Sequence, residues 1–195
     1  MKKKTQKMII AAAIVTLFLA MFACSTTPKT QPEKDTARDS IRAMTQQTLV
    51  DLYKKEPAAK GAVAGAAGYA VFSDFGFKVM FMGGAHGKGM AVSSATKQET
   101  FMKMMELQPG LGVGAQKYRL VFIFENPEAY NKFVTSGWEF GADAMAAAKS
   151  DSGGGGVAGA VTFREGVKIY QLSETGAIVG VSITGAKYSK DKDLN

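Results

Sequence analysis

The stretch 68–92, GYAVFSDFGFKVMFMGGAHGKGMAV, limits the possible fold more than any other part of the chain. It mixes β-branched and aromatic residues with six glycines, each of which would cost a helix about 1 kcal/mol relative to alanine. This composition predicts buried, extended strands with turns at residues 74–76 and 87–89. Residues 112–124 and 177–186 have a similar composition, so we expect one sheet or barrel to include all three segments.

The first 23 residues have the pattern of a bacterial secretory signal peptide. A basic start is followed by an apolar run at residues 8–22 and by Ala23. Cys24, the only cysteine of the chain, stands where a bacterial lipoprotein carries its lipid, so we predict that Cys24 is lipidated. The alternatives are an ordinary signal peptide cleaved nearby and a permanent anchor, although the 16 residues 8–23 are fewer than the roughly 20 that span a bilayer.

Residues 24–34 are rich in Ser, Thr and Pro, which is typical of a flexible tether, and residues 35–195 suit one domain. Ser25 replaces the aspartate that signals retention at the inner membrane, so we expect an envelope protein anchored at the outer membrane and facing the periplasm. Of 24 basic residues four precede Cys24, which leaves a mature net charge of about +3 against 17 acidic residues. The remaining basic residues are spread thinly, which argues against nucleic-acid binding.

The remaining segments predict helices and a run of short strands. A helix is predicted at residues 35–55 by apolar residues three or four apart, and another at 127–135 by its Asn-Pro-Glu start. The small residues of 58–67 are consistent with a third, short helix. Strands are predicted at 99–107 (with a short helix as the alternative), 112–124, 138–148, 157–163, 167–172 and 177–186, with a turn at Pro109-Gly110 and a loop at 150–156.

Residues 112–124 show the clearest strand alternation. Tyr118, Leu120, Phe122 and Phe124 share one face, which we expect to form the core. The whole pattern predicts an α+β fold that is mostly antiparallel β, with a barrel-like or strongly curved sheet and two or three flanking helices.

The chain offers little for catalysis. His86 is the only histidine, so a cage of several histidines around a metal is excluded. The glycine-rich residues 83–89 lack the spacing of a phosphate-binding Walker loop, because Met82 and Gly89 occupy two of its required positions. Asp74 and Asp143 adjoin glycines at expected turns or strand edges. We therefore predict a protein that is not an enzyme and has no metal or cofactor.

Methionine is concentrated in one region. Six of the eleven methionines fall within 26 residues, on two neighbouring predicted strands. The flexible methionine side chain suits a surface or cavity that receives acyl chains, and filling gaps in an ordinary core is the alternative. The six are Met80, Met82, Met90, Met102, Met104 and Met105.

Three blocks of the sequence are similar to the SYLF lipid-binding domain family, and the resemblance spans about residues 58–195. They are AGYAVF (67–72) with GGAHGKG (83–89), GVGAQ (112–116) with VFIF (121–124) and GADA (141–144), and TGAIVGVSITGA (175–186) before the final DLN.

The resemblance implies binding of phospholipid through anionic head groups or acyl chains, and it carries over no catalytic residues. Eukaryotic members of the family bind phosphoinositides, and some fungal members bind actin. The alternative function is an envelope module that recognises another protein or the cell wall without a lipid ligand. If lipid is bound, we expect basic residues on the strands and on the first helix to contact it, namely Lys78, Lys88, Lys117, Arg119, Arg38 and Arg42.

Overall fold

The structure is a computed structural model that describes residues 30–139, 161–174, 178–179 and 185–195. Only the backbone is described for residues 77–82, 108–116, 161–164 and 178–179. The predicted signal peptide, Cys24 and the tether up to residue 29 lie outside the described residues, as do the loop 150–156 and most of the segment 138–148. Residues Pro32–Asn195 form one compact unit.

Within the described residues, three helices accompany a seven-stranded antiparallel sheet that curls into a half-barrel, which confirms the predicted α+β fold. In chain order the elements are α1 (Gln31–Lys55), α2 (Ala58–Gly65), β1 (Gly68–Ser93), β2 (Glu99–Phe124), α3 (Pro127–Ser136), β3 (Trp138–Glu139), β4 (Val161–Arg164), β5 (Val167–Ser173), β6 (Ile178–Val179) and β7 (Ala186–Lys190).

The sheet is built around one very long hairpin. Strands β1 and β2 have 26 residues each and pair antiparallel from Gly68 opposite Phe124 to Val92 opposite Glu99, with a register shift between Met80 and Met82. The predicted turns at residues 74–76 and 87–89 and at Pro109-Gly110 are wrong, because the chain stays extended through all three. Pro109 is tolerated since it lies beside the register shift, where the hydrogen-bond ladder is already irregular.

Strand β2 forms the centre of the sheet. One of its edges pairs with β1 along nearly the whole strand, and the other edge pairs first with β7 and later with β5. Met102–Glu106 pair with β7 and Tyr118–Phe124 pair with β5. For the stretch between them, the strand pairing found among the described residues is with β1. Strand β3 extends the sheet beyond β7, while β4 and β6 pair with β5.

The two halves of β1 cross each other closely, and this explains two of its glycines. A Cβ atom on Gly89 would contact the carbonyl oxygen of Val71, and one on Gly87 would lie 2.9 Å from the carbonyl oxygen of Ser73. The alternate residue Ala91 is also small and fully buried. Glycine at 87 and 89 therefore permits close backbone approach rather than a turn.

One face of the sheet, here called the aromatic face, carries Phe72, Phe122 and Tyr188. Helix α3 packs on it through Phe133, whose ring centroid lies 5.7 Å from that of Phe122. The helix begins as predicted, with Pro127 in its first turn and the Asn126 side chain accepting a 2.8 Å hydrogen bond from the Ala129 amide.

The opposite face, here called the helix-side face, is covered by α1 and α2. Val121 and Ile123 of β2 are as deeply buried there as the predicted core residues on the aromatic face, under Leu52 of α1 and Ala59 of α2. The expectation of a single core face was therefore incomplete. Among the described helices, none combines the length and the apolar character needed to cross a membrane.

Leu194 and Asn195 hold the N-terminal half of α1 and the start of β2 together. Helix α1 begins at Gln31, one turn earlier than predicted. Leu194 is buried with Ile41 and Phe101, and its carbonyl accepts a 2.8 Å hydrogen bond from Arg38 Nε. The Asn195 side chain accepts from the Phe101 amide and donates to the Phe101 carbonyl. These contacts fix the helix at the turn end of the hairpin.

Candidate functional site

A groove of about 870 Å³ lies between the N-terminal half of α1 and the helix-side face of β1, β2 and β7. Ser73 from the first half of β1 and Gly87 from the second half both line it. The groove is therefore placed at the crossing of the two halves of β1, where the helix leaves part of the sheet uncovered.

The walls of the groove are largely apolar. Helix α1 contributes Ile41 and Met44, and β2 contributes Met104 and Met105. Met105 is 54% exposed, so a methionine side chain that could pack in the interior is instead presented to solvent. Met105 is therefore the exposed methionine of the groove, whereas Met90, Met102 and Met104 are buried in the cores, as the alternative of gap-filling predicts. That an exposed methionine receives an acyl chain stays a prediction.

Three lysines from three strands line the same groove. Lys88 of β1 stands directly opposite Lys103 of β2, and Lys187 of β7 stands opposite Met105. Like charges directly opposite each other weaken an antiparallel pair, so this arrangement costs the isolated sheet free energy. Lys187 also makes an exposed ion pair with Glu139, with 3.4 Å between Nζ and Oε2.

A buried polar cluster lies on the aromatic face beneath the groove. The Tyr118 hydroxyl donates a short hydrogen bond to Glu106, and neither carboxyl oxygen of the neighbouring Asp74 completes a hydrogen bond within the described residues. Burial raises the pKa of Asp74, while Tyr118 and the Phe75 amide lower it to a smaller extent. Burial, followed in size by the hydrogen bond to Glu106, raises the pKa of Tyr118 above its usual range. Asp74 is thus a buried strand residue, and its predicted placement in a turn or at a strand edge is wrong.

His86 lines the groove and stands opposite Met105. Within the described part of the chain, no group of three or more His, Cys, Asp or Glu side chains is placed to hold a metal ion. The polar side chains of the groove are His86, Asp191, serine hydroxyls and lysines, which can bind a polar head group by hydrogen bonds and charge.

The basic residues predicted to contact lipid lie in separate places. Lys88 is in the groove. Lys117 forms a 3.2 Å ion pair with Glu174. Arg119 donates to Asp51 Oδ2 at 2.8 Å and thereby ties β2 to α1. Lys78 is in β1, where its backbone pairs with Gly114 of β2, and its side chain lies outside the described atoms.

The two arginines of α1 make contacts within the protein. Arg38 forms a 2.7 Å ion pair with Asp35 in addition to its bond to the carbonyl of Leu194. Arg42 bonds Asp39 and, at 2.9 Å, Glu99, and its guanidinium lies 5.4 Å from the centroid of the Phe101 ring. The hydrogen bond to Glu99 contributes most to raising the pKa of Arg42.

Sequence reasoning missed Lys103 and Lys187 as groove residues. Lys103 alternates with Met102 and Met104 along β2, which indicated only that it faces the other side of the strand. Its position opposite Lys88 depends on the register of the hairpin, and the position of Lys187 depends on pairing between β2 and β7. Neither pairing has a local sequence signal.

Comparison with known proteins agrees with the sequence motifs. Residues 105–195 match the Ysc84 family, described as Las17-binding protein actin regulator. The chain is also similar to Beta cell expansion factor A of Aeromonas veronii, with 35% identity over 167 residues. The matched region covers 86% of this chain and 61% of that relative, so the chain spans less than two thirds of the relative's length. Residues 105–195 are therefore similar to the Ysc84 family, also called SYLF, which is a lipid-binding family.

Proposed function

We propose that this domain binds an anionic phospholipid in the groove, as a non-catalytic lipid-binding protein. The observation that carries the proposal is the convergence of Lys88, Lys103 and Lys187, from three strands, on one apolar groove. An anionic head group between these lysines offsets their mutual repulsion. Each lysine near an anionic lipid surface contributes about 1 kcal/mol, and this contribution decreases with salt.

The apolar part of the groove suits an acyl chain. Ile41 and Met44 of the helix and Met105 of the sheet line the groove, so a chain bound there contacts apolar atoms from both elements. Each methylene group removed from water contributes about 0.8 kcal/mol. A few methylenes therefore match the contribution of the three lysines, and an amphiphile gains from both parts of the groove.

The place of the protein in the cell is part of the same proposal. Cys24, the only cysteine, follows an apolar run and a small residue, which supports lipidation at this position and anchoring in the bacterial envelope, at the periplasmic side of the outer membrane. Mass spectrometry of membrane fractions is expected to find Cys24 acylated. An unmodified mature N-terminus downstream of Cys24 contradicts the anchor.

The test of lipid binding compares two triple variants in a Cys24→Ser background from which residues 1–23 are also removed, so that neither a lipid nor the apolar run 8–22 contributes to membrane binding. In the first, Lys88, Lys103 and Lys187 are replaced by Gln. The control carries the same loss of charge at three exposed lysines that do not line the groove, namely Lys60, Lys132 and Lys192.

We expect the groove variant to bind phosphatidylglycerol vesicles at least about tenfold more weakly than the control, because three contributions of about 1 kcal/mol are lost. Co-sedimentation in low and moderate salt gives the affinities, and thermal unfolding checks that both variants fold. Equal binding by the two variants contradicts the groove as the site. Absence of vesicle binding by the Cys24→Ser protein itself favours the alternative, a module that recognises another envelope protein or the cell wall.

A further inference from the structure

We infer that the exposed end of the helix-side face, formed by Lys103, Met105 and Leu107 of β2 with Lys187 of β7, is a docking surface for an anionic bilayer. This inference rests on the proposed function and extends it, because it states how the groove meets the membrane that holds its ligand. The side chains of Lys103, Met105 and Leu107 are hereafter called the ridge.

Exposure rises steadily along this face of β2. Phe101, at the turn end, is 5% exposed beneath α1 and Leu194, whereas Met105 is 54% and Leu107 is 64% exposed. All lie on one face because alternate residues of a strand point the same way. The ridge therefore emerges from under the helix as a continuation of a buried apolar face.

Leu107 has no side chain beside it on either of its two described strand neighbours. Its partner on β1 is Gly84, and on the other edge its amide donates a 3.1 Å hydrogen bond to the carbonyl of Gly185. Gly185 has a φ of 68°, and a Cβ atom there would lie 3.0 Å from the Leu107 carbonyl oxygen. A large apolar side chain thus stands between two residues without side chains, on a backbone that is held from both edges.

Charge complementarity selects the occupant. Lys103 and Lys187 border Met105, with Lys88 on the adjacent strand. Among the acidic side chains described near these lysines, Glu106 and Asp191 are buried and Glu139 is paired with Lys187. Apolar side chains surrounded by lysines match a bilayer with anionic head groups above an apolar interior, because the lysines bind phosphate while Met105 and Leu107 enter the head-group layer.

This geometry also places the entrance of the groove at the bilayer. Met105 belongs to both the groove and the ridge, so a lipid that leaves the bilayer beside Leu107 passes Met105 and enters the groove without crossing open water. The ridge and the groove thus have separable roles, since Leu107 contacts the membrane and is not among the groove residues.

The experiment separates the two roles by using two lipid probes in the Cys24→Ser background. One probe is a vesicle of phosphatidylcholine and phosphatidylglycerol, and the other is dihexanoyl phosphatidylglycerol kept below its micelle concentration. The variant is Leu107→Gln, and the control is Val50→Gln, which replaces an exposed apolar residue of α1, 45% accessible, that does not line the groove.

We expect Leu107→Gln to weaken vesicle binding about tenfold, the loss expected when one leucine no longer enters an apolar environment. Binding of the monomeric lipid is expected to be unchanged, and Val50→Gln is expected to change neither. Unaltered vesicle binding by Leu107→Gln overturns the docking surface, and so does an equal loss of both probes, which would place Leu107 in the groove. Absence of monomer binding by the unsubstituted protein overturns the proposed function instead.

A second variant gives a gain of signal. Leu107→Trp adds a tryptophan at the ridge, while the natural Trp138 is buried. On vesicles the fluorescence of this added tryptophan is expected to shift to the blue and to be quenched by brominated acyl chains. Vesicle binding without either change contradicts contact between Leu107 and the bilayer.

Discussion

Replacing Arg119 by Gln is expected to destabilise the protein, because Arg119 ties the central strand to helix α1. Its Nη1 lies 2.8 Å from Asp51 Oδ2, and Nη2 lies 3.5 Å from the Ser173 carbonyl oxygen. The two charged side chains are only 13% and 23% exposed. A hydrogen bond between charged groups contributes roughly 1.5–3 kcal/mol net, and partial exposure reduces this to about 1–2 kcal/mol.

For a domain of this size, that loss lowers Tm by about 2–8 °C. Urea unfolding at neutral pH of Arg119→Gln, Asp51→Asn and the double variant forms a thermodynamic cycle, whose coupling energy is expected to be about 1 kcal/mol. The matched control is Lys117→Gln on the same strand, since the ion pair of Lys117 with Glu174 is 53% and 68% exposed. Such an exposed pair is expected to contribute less than about 0.5 kcal/mol.

The same pair predicts a dependence on pH. The hydrogen bond from Arg119 lowers the pKa of Asp51 below 3.8, so the folded state favours the ionised carboxylate. The stabilisation is present above pH 3.8 and is lost as the pH falls through the lowered folded-state pKa. A coupling energy indistinguishable from zero, or an effect of Arg119→Gln no larger than that of Lys117→Gln, refutes this reasoning.

Two further predictions concern the interior. Burial raises the pKa of Asp74 above 3.8, so the free energy of unfolding should fall as the pH rises from 3.8 through the raised folded-state pKa. In plots of Tm against pH, Asp74→Asn is expected to flatten this slope. Parallel slopes for the variant and the unsubstituted protein contradict the prediction. Gly89→Ala is expected to cost about 3 kcal/mol or more in urea unfolding, because its Cβ meets the backbone of Val71. The control is Gly61→Ala, at a helix position with open space around it, which should stabilise the protein by about 0.5–1 kcal/mol. A similar cost for both variants argues against the close crossing of the two halves of β1.

Features with local causes were predictable from the sequence. Alternation in residues 112–124 identified part of β2, and Asn126 with Pro127 identified the start of α3. The many glycines and β-branched residues correctly indicated a curved, mostly antiparallel sheet. In each case the signal lies within a few residues of the element that it describes, so no knowledge of distant partners was needed.

Features that depend on distant partners were not predictable. Gly87 and Gly89 indicated a turn because glycine allows turns, yet their role is set by Val71 and Ser73, which the chain brings against them only after β1 has curled. The burial of Asp74 has the same cause. The groove also depends on distant partners. Lys88 was named from the sequence as an expected lipid contact, but Lys103 and Lys187 become its neighbours only through the register of the strands.

The central position of β2 has a consequence for the order in which the chain can assemble. Strands β1 and β2 are joined by a short turn, so their hairpin is complete once residue 124 has been made. The partners of the other edge of β2, strands β5 and β7, are encoded only at Val167–Ser173 and Ala186–Lys190. Until synthesis reaches them, that edge exposes a row of unpaired N–H and C=O groups next to Phe122 and Phe124, which is a template for association with other chains. The nascent protein is therefore most vulnerable to aggregation during its last third, and a chaperone that covers the edge of β2 would protect it.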